Sequence, residues 1–245
     1  MENVIEGLVA KGGTLHFTLI DPEKQSPEES ASMAKSSESY GSSAIMIGGS
    51  TTDFETVHSV TKAIKEAVDI PLILFPGSAE GVSPAADYIF FMSCLNSTQR
   101  RFLIEEQVKG APFVKKGGIN VIPLGYVLIS TSKEPTMVEK VAQPDPITED
   151  DVDKAVAYAL AAQYLGMHTV YLEAGSGAEK PIPQKMIEAV KEALDIPLIV
   201  GGGIRSPEEA KAAVTAGADV VVTGTIIEKD IDVHKAVVEA VVGQR

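Results

Sequence analysis

Three groups of residues offer chemistry. Gly201-Gly202-Gly203, leading into Ile204-Arg205-Ser206-Pro207, and Gly224-Thr225 present amides that no Cβ shields, which lets a phosphate approach the backbone closely. Ser206-Pro207-Glu208-Glu209 adds a helix start, with Ser as N-cap, Pro at the first helical position and a carboxylate at the third. A helix N-terminus favours an anion. The second group is Tyr171-Leu172-Glu173-Ala174-Gly175-Ser176-Gly177. A carboxylate beside a phosphate would repel it, so Glu173 suits a hydroxyl, as acceptor or general base. In the third group, Asp21 of Asp21-Pro22-Glu23-Lys24, with the hydroxyls of Ser50 and Thr51, offers hard oxygen ligands for Mg²⁺. Each group also has a plainer reading: tight turns without a ligand, an ion pair between Glu173 and a loop lysine, and Asp21 as the former of a turn.

The elements that must position these groups follow from periodicity. Short β-branched or apolar runs alternate with Ala/Glu/Lys-rich amphipathic stretches, the rhythm of a parallel sheet. Eight strands are expected, over residues 14–20, 44–47, 72–75, 87–92, 121–129, 169–172, 198–200 and 220–223. That number closes a (β/α)8 TIM barrel, whose active site lies where strands end, and all three groups follow predicted strands. Strand alternation turns Tyr171 and Glu173 to one face and Leu172 to the other. A repeat supports the plan: the segment from Ile64 to Gly77 matches that from Val190 to Gly203, 126 residues on, and the two carry the third and seventh strands. Residues 75–87 are too rich in Pro and Gly for a helix, so the third helix is expected to be missing, leaving an apolar slot or a contact in a homo-oligomer. Residues 130–151, with Pro135, Pro144 and Pro146, read as a long loop bordering the active face.

With 245 residues, 44% hydrophobic and 22% charged, the chain has material for a core and reads as one barrel domain over 1–245. The net charge of −13 opposes nonspecific binding to nucleic acid and to anionic membranes. An anionic small molecule would need backbone amides, helix N-termini or a metal. Cys94 is the only cysteine, the N-terminal residues are acidic, and no apolar run approaches the length of a membrane span, so a cytoplasmic protein is expected. His16, His58, His168 and His234 read as structural, with His16 able to point into the barrel. Lys24, Lys115 and Lys116 read as solvated or loop charges, and no Cys/His cluster suggests zinc.

In order along residues 14–228, the motifs HFTLIDPEK (16–24), IMIGGS (45–50), YIFFMSCLNS (88–97), YLEAGSGA (171–178), VGGGI (200–204) and VTGT (222–225) resemble those of geranylgeranylglyceryl phosphate synthases, a family whose plan bacterial heptaprenylglyceryl phosphate synthases share. The resemblance implies a Mg²⁺-dependent prenyltransferase on a barrel lacking its third helix. Such an enzyme forms an ether bond between the C3 hydroxyl of sn-glycerol 1-phosphate and geranylgeranyl diphosphate in archaeal membrane lipid synthesis. It further implies metal positions at Asp21 and Ser50, and glycerol-phosphate positions at Tyr171, Leu172, Glu173, Ala174, Gly175, Ser176, Gly177, Gly202, Gly203, Gly224 and Thr225. Cys94 departs from the pattern, standing where an apolar residue such as Leu is more usual.

The implied chemistry agrees with the residues. An allylic diphosphate leaves easily, a hydroxyl captures the cation-like carbon, and Glu173, with Tyr171 beside it, serves as the late proton acceptor in a dry site. The prenyl tail is expected beside strands three to five, against Phe90, Phe91, Leu95, Phe102 and Tyr126. Nucleic acid is not an expected partner, a homo-oligomer is, and the product would pass to a membrane. Three other readings stay open: a heptaprenylglyceryl phosphate synthase, a phosphate-binding isomerase or flavin barrel, and a noncatalytic phosphometabolite-binding protein.

Overall fold

The computed structural model describes residues 4–49 and 53–243. Eight parallel strands close into a barrel in chain order. They are β1 (Leu15–Ile20), β2 (Ala44–Ile47), β3 (Leu72–Leu74), β4 (Tyr88–Cys94), β5 (Asn120–Leu128), β6 (Thr169–Glu173), β7 (Leu198–Gly201) and β8 (Val220–Thr223). Around and between them lie α1 (Val4–Gly12), α2 (Pro27–Tyr40), α3 (Phe54–Ala67), α4 (Glu106–Gly117), α5 (Met137–Ala142), α6 (Val152–Tyr164), α7 (Gln184–Ala193), α8 (Pro207–Thr215), α9 (Thr225–Lys229) and α10 (Ile231–Val242). β1 closes the ring against β8, with Leu15 opposite Val220 and Thr18 opposite Thr223.

Alternation along the strands separates two apolar layers. Phe17, Met46, Ile73, Phe90, Leu124, Tyr171, Ile199 and Val222 meet in the barrel interior. Val170, Leu172, Val200 and Val221 face outward under α6, α7, α8 and α10, while Ile45, Ile47, Leu72 and Leu74 pack outward with residues of α2 and α3. Ile5 of α1 joins the interior group beside Leu15, so α1 plugs the end where strands begin and leaves their carboxyl ends open. Ser26 and Ser206 start α2 and α8, each accepting the third helical amide at 3.2 Å within a capping box, as the Ser-Pro-Glu-Glu sequences imply.

Between β3 and β4 the chain makes a single 3₁₀ turn, Ala79–Gly81, in place of a helix. The uncovered flank holds an apolar groove of about 800 Å³. Pro76, Ala79 and Val82 line it together with Phe90, Phe91 and Cys94 of β4, Gly110 and Val114 of α4, Val138 of α5, and Phe102 and Tyr126. Leu95 is elsewhere: it packs with the outer layer, against the face where Gly125 meets Ala162, so it does not join the expected lining. Residues 130–151 also differ from the loop expected, because Thr136 and Glu139 form a capping box that starts α5 in spite of the flanking prolines. His16 does not enter the barrel. Its neighbours Leu15 and Phe17 take the inward positions, and its ring bonds the hydroxyls of Ser42 and Thr223, each at 2.9 Å, beneath α10.

Candidate functional site

The carboxyl ends of the strands surround a cleft of about 890 Å³ lined by Asp21, Lys24, Gly48, Phe75, Tyr171, Glu173, Gly175, Ser176, Gly202, Gly224, Thr225 and Glu228. Glu173 is the last residue of β6 and is buried. It accepts hydrogen bonds from the Gly175 amide at 2.6 Å and from the Tyr171 hydroxyl. Burial is the largest influence on its acidity and raises its pKa above the ordinary carboxylate value, against the pull of those two donors. Among the described residues no lysine or arginine pairs with it. The ion-pair reading of Glu173 is therefore not what this geometry supports; it is a carboxylate held by two neutral donors, poised to take a proton.

Glycines make this arrangement possible by lacking atoms. A Cβ on Gly201 would collide with the Tyr171 hydroxyl. At Gly202, where φ is +82°, a Cβ would lie 2.5 Å from Glu173 Oε1 and 2.6 Å from the Gly175 amide nitrogen. Gly175 adopts φ +96°, which aims its amide at Glu173. Across the cleft, the Ser176 and Thr225 hydroxyls lie 3.0 Å apart and tie the loop after β6 to the loop after β8. Arg205 donates to the carbonyls of Gly177, Ala178 and Glu179 and fastens the same β6 loop to the segment after β7. Exposed amides and hydroxyls from three strand ends thus converge on one polar corner suited to a phosphate.

Not every predicted position reaches the cleft by its side chain. Leu172 and Ala174 turn outward into the layer beneath the helices, and the Ala174 amide is already bonded to the Gly201 carbonyl at 3.0 Å. Gly177 is exposed and, like Gly203, is not part of the cleft lining; Gly203 is pressed against the backbone of Lys180 and Pro181. Tyr171, Glu173, Gly175, Ser176, Gly202, Gly224 and Thr225 line the cleft together.

Asp21 lies at the opposite wall. Its Oδ1 accepts the Glu23 amide at 3.1 Å, so it does form a turn, and Lys24 Nζ stands 3.7 Å from its Oδ2. Burial raises its pKa, which means that its charge is incompletely compensated. Ser50 and Thr51 lie outside the described residues. No group of three or more His, Cys, Asp or Glu side chains gathers as a metal site among the described residues. One carboxylate in an open cleft still fits Mg²⁺, which keeps waters and takes most of its remaining oxygens from a phosphorylated substrate.

A family model described as the PcrB family matches residues 9–241. The chain belongs to the PcrB family. Among PcrB relatives, geranylgeranylglyceryl phosphate synthase of Thermococcus kodakarensis is 52% identical over 223 residues, 91% of this chain and 87% of the relative. The protein of that name from Methanothermobacter thermautotrophicus is 48% identical over 229 residues, covering 94% and 92%. The crystal structure of (S)-3-O-geranylgeranylglyceryl phosphate synthase from Thermoplasma acidophilum, in complex with its substrate sn-glycerol-1-phosphate, superposes with a TM-score of 0.93 at 41% identity, over 99% of this chain and 100% of that one.

Sequence reasoning missed part of this PcrB site. Lys24 is the exposed loop charge expected, and it also lines the cleft and bonds Glu228 at 3.0 Å, joining the loop after β1 to α9. Glu228 was not singled out, and nothing local marks a pair separated by 204 residues. Phe75 was also overlooked. Its ring centroid lies 5.4 Å from that of Tyr126 and 5.7 Å from that of Tyr171, and the three rings stand where the polar cleft meets the apolar groove.

Proposed function

We propose that this PcrB-family chain is a geranylgeranylglyceryl phosphate synthase, which joins the C3 hydroxyl of sn-glycerol 1-phosphate to geranylgeranyl diphosphate through an ether bond and releases diphosphate, a step of archaeal membrane lipid synthesis. The observation that carries this reading is the junction of two dissimilar cavities. The polar cleft and the apolar groove share Gly77, Met92, Tyr126 and Val138, so a phosphorylated polyol in one meets the reactive end of a prenyl chain in the other. The names of the relatives and the glycerol phosphate bound in the Thermoplasma acidophilum enzyme support the same assignment.

The residues divide the work. The polar corner around Gly202, Gly224, Thr225 and Ser176 receives the phosphate of sn-glycerol 1-phosphate and turns its hydroxyl end toward Glu173. The C1–oxygen bond of the diphosphate breaks with its electron pair leaving on the diphosphate, the C3 oxygen bonds to C1, and the hydroxyl proton passes to Glu173. Tyr171 holds the Glu173 carboxylate in place by its hydrogen bond. The buried position that raises the pKa of Glu173 makes it a better proton acceptor. Phe75, Tyr126 and Tyr171 present rings at the junction, shielding the electron-poor carbon from water. Asp21, with Ser50, is the position for Mg²⁺, which when bound supplies the positive charge that makes diphosphate a good leaving group.

The decisive experiment incubates the protein with sn-glycerol 1-phosphate, Mg²⁺ and prenyl diphosphates from C10 to C35, following diphosphate release and the ether product by mass spectrometry. Preference for the C20 diphosphate is expected. Absence of product with every chain length overturns the assignment, and preference for C35 replaces it with a heptaprenylglyceryl phosphate synthase.

A further inference from the structure

The chain-wide charge of −13 conceals a local reversal. Between positions 100 and 117, Arg100, Arg101, Lys109, Lys115 and Lys116 stand against Glu105 and Glu106, a net of +3, which leaves −16 for the remainder. The same segment carries uncovered apolar side chains: Val108 is 66% exposed and Phe113 60%, with Ile104 beside them and Met137 of α5 also exposed. Helical phase sorts α4 into two faces. Gln107, Gly110 and Val114 line the apolar groove, while Val108, Lys109, Phe113 and Lys116 project outward. No helix among the described residues is long and apolar enough to cross a membrane.

We propose that the outward face of α4, together with Met137 of α5, docks on an anionic lipid surface, placing the wall of the prenyl groove against the bilayer. Exposed apolar side chains interleaved with basic ones on one helix are the pattern of an interfacial helix. The clustered basic charge is complementary to anionic headgroups and sets this stretch apart from the acidic remainder of the chain. A two-fold contact with a second copy would bring the same patch to itself and set +3 against +3, which disfavours that occupant. The groove behind the patch gives the contact a purpose. Resting on the proposed function, the substrate and product are amphiphiles with C20 tails, and a groove whose outer wall lies on the bilayer shortens their path out of water.

The test is co-flotation of the full chain with phosphatidylcholine vesicles containing about 30% phosphatidylglycerol, against pure phosphatidylcholine vesicles. Binding to the anionic vesicles that falls with added NaCl is expected, and Phe113→Ser combined with Lys109→Gln and Lys116→Gln should lower it by at least about tenfold, since each basic residue lost weakens the attraction. Lys211→Gln, on exposed α8, should leave it unchanged. Circular dichroism and turnover of a short, water-soluble prenyl diphosphate without lipid verify that the triple variant is folded and report on the enzymatic assignment separately. No vesicle binding, or binding that the triple variant retains, overturns the proposal. Loss of a dimer in sedimentation velocity without any vesicle effect reassigns the face to a second copy.

Discussion

The polar cleft and the apolar groove open on the same end of the barrel but are made in opposite ways. The cleft is built from backbone: glycines at the ends of β6, β7 and β8 remove atoms so that amides, one tyrosine and one carboxylate can approach each other closely. The groove is built from a missing element, the helix between β3 and β4, and its walls are ordinary apolar side chains. Substitution should therefore act differently in each. In the cleft one atom too many removes function, whereas in the groove added or removed methylenes should retune which tail fits.

The largest expected effect lies in the cleft. Glu173→Gln keeps a hydrogen-bond acceptor for the Gly175 amide but cannot take a proton, and should lower kcat by about 10²–10⁴-fold with little change in KM for glycerol phosphate. Near-normal kcat would remove Glu173 from the base role. Because burial raises the Glu173 pKa, the acidic limb of the rate profile should lie above the ordinary carboxylate range, with activity lost as pH falls through it. The stability sign is the reverse. Above its pKa the folded state holds a buried charge that the unfolded chain exposes to water, so stability declines as pH rises from the unfolded to the folded pKa. Glu173→Gln should then melt higher than the parent at neutral pH, a gain that calorimetry would detect; an unchanged or lower melting temperature would mean that the buried charge is fully compensated in the fold.

Next in size is Gly202→Val. Its Cβ would strike Glu173 and the Gly175 amide from a left-handed backbone, which should raise KM for glycerol phosphate about tenfold or more and cost about 1–3 kcal/mol of stability. An unchanged KM would place the phosphate elsewhere. On the groove side, Val114→Phe enlarges a residue shared with a second cleft beneath the groove, and so stands at its distal end. Blocking three carbons at about 0.8 kcal/mol each should cost roughly 2 kcal/mol and change preference between C15 and C20 diphosphates more than tenfold. Leu95→Phe, in the outer layer, is the control that should leave chain-length preference alone; equal effects of the two would erase the distinction between groove and barrel wall. The smallest effect is expected for Asp21→Asn, which should shift the Mg²⁺ requirement upward while the substrate's own oxygens continue to hold the ion. Full activity in excess EDTA would defeat that assignment, and lower stability with no shift in metal dependence would leave Asp21 as a turn-former.

The barrel was legible because the strands are β-branched or apolar runs that alternate with amphipathic stretches, and because Pro and Gly between Phe75 and Asp87 leave no room for a helix. The Tyr171/Glu173 pairing followed from alternation alone, and the glycines announced themselves by composition. What escaped was long-range. Lys24 is exposed as its loop position implies, but its bond to Glu228 exists only because the fold brings α9 to it, and Leu95 looks like groove lining until the turn after β4 swings it toward Ala162. His16 was undecided because a strand pattern shows which residues share a face but not which face is the interior. The start of α5 is readable: Thr136-Met137-Val138-Glu139 is a capping-box sequence, which starts a helix between Pro135 and Pro144.

Cys94 lies in the wall of the groove, and burial pushes its thiol up to about 12. At neutral pH the thiol stays protonated, and the thiolate, the form that attacks carbon, is scarce. An allylic electrophile held nearby is therefore spared capture by the soft nucleophile most disposed to trap it. The same desolvation that makes the groove hospitable to a hydrocarbon thus protects the catalyst from alkylating itself.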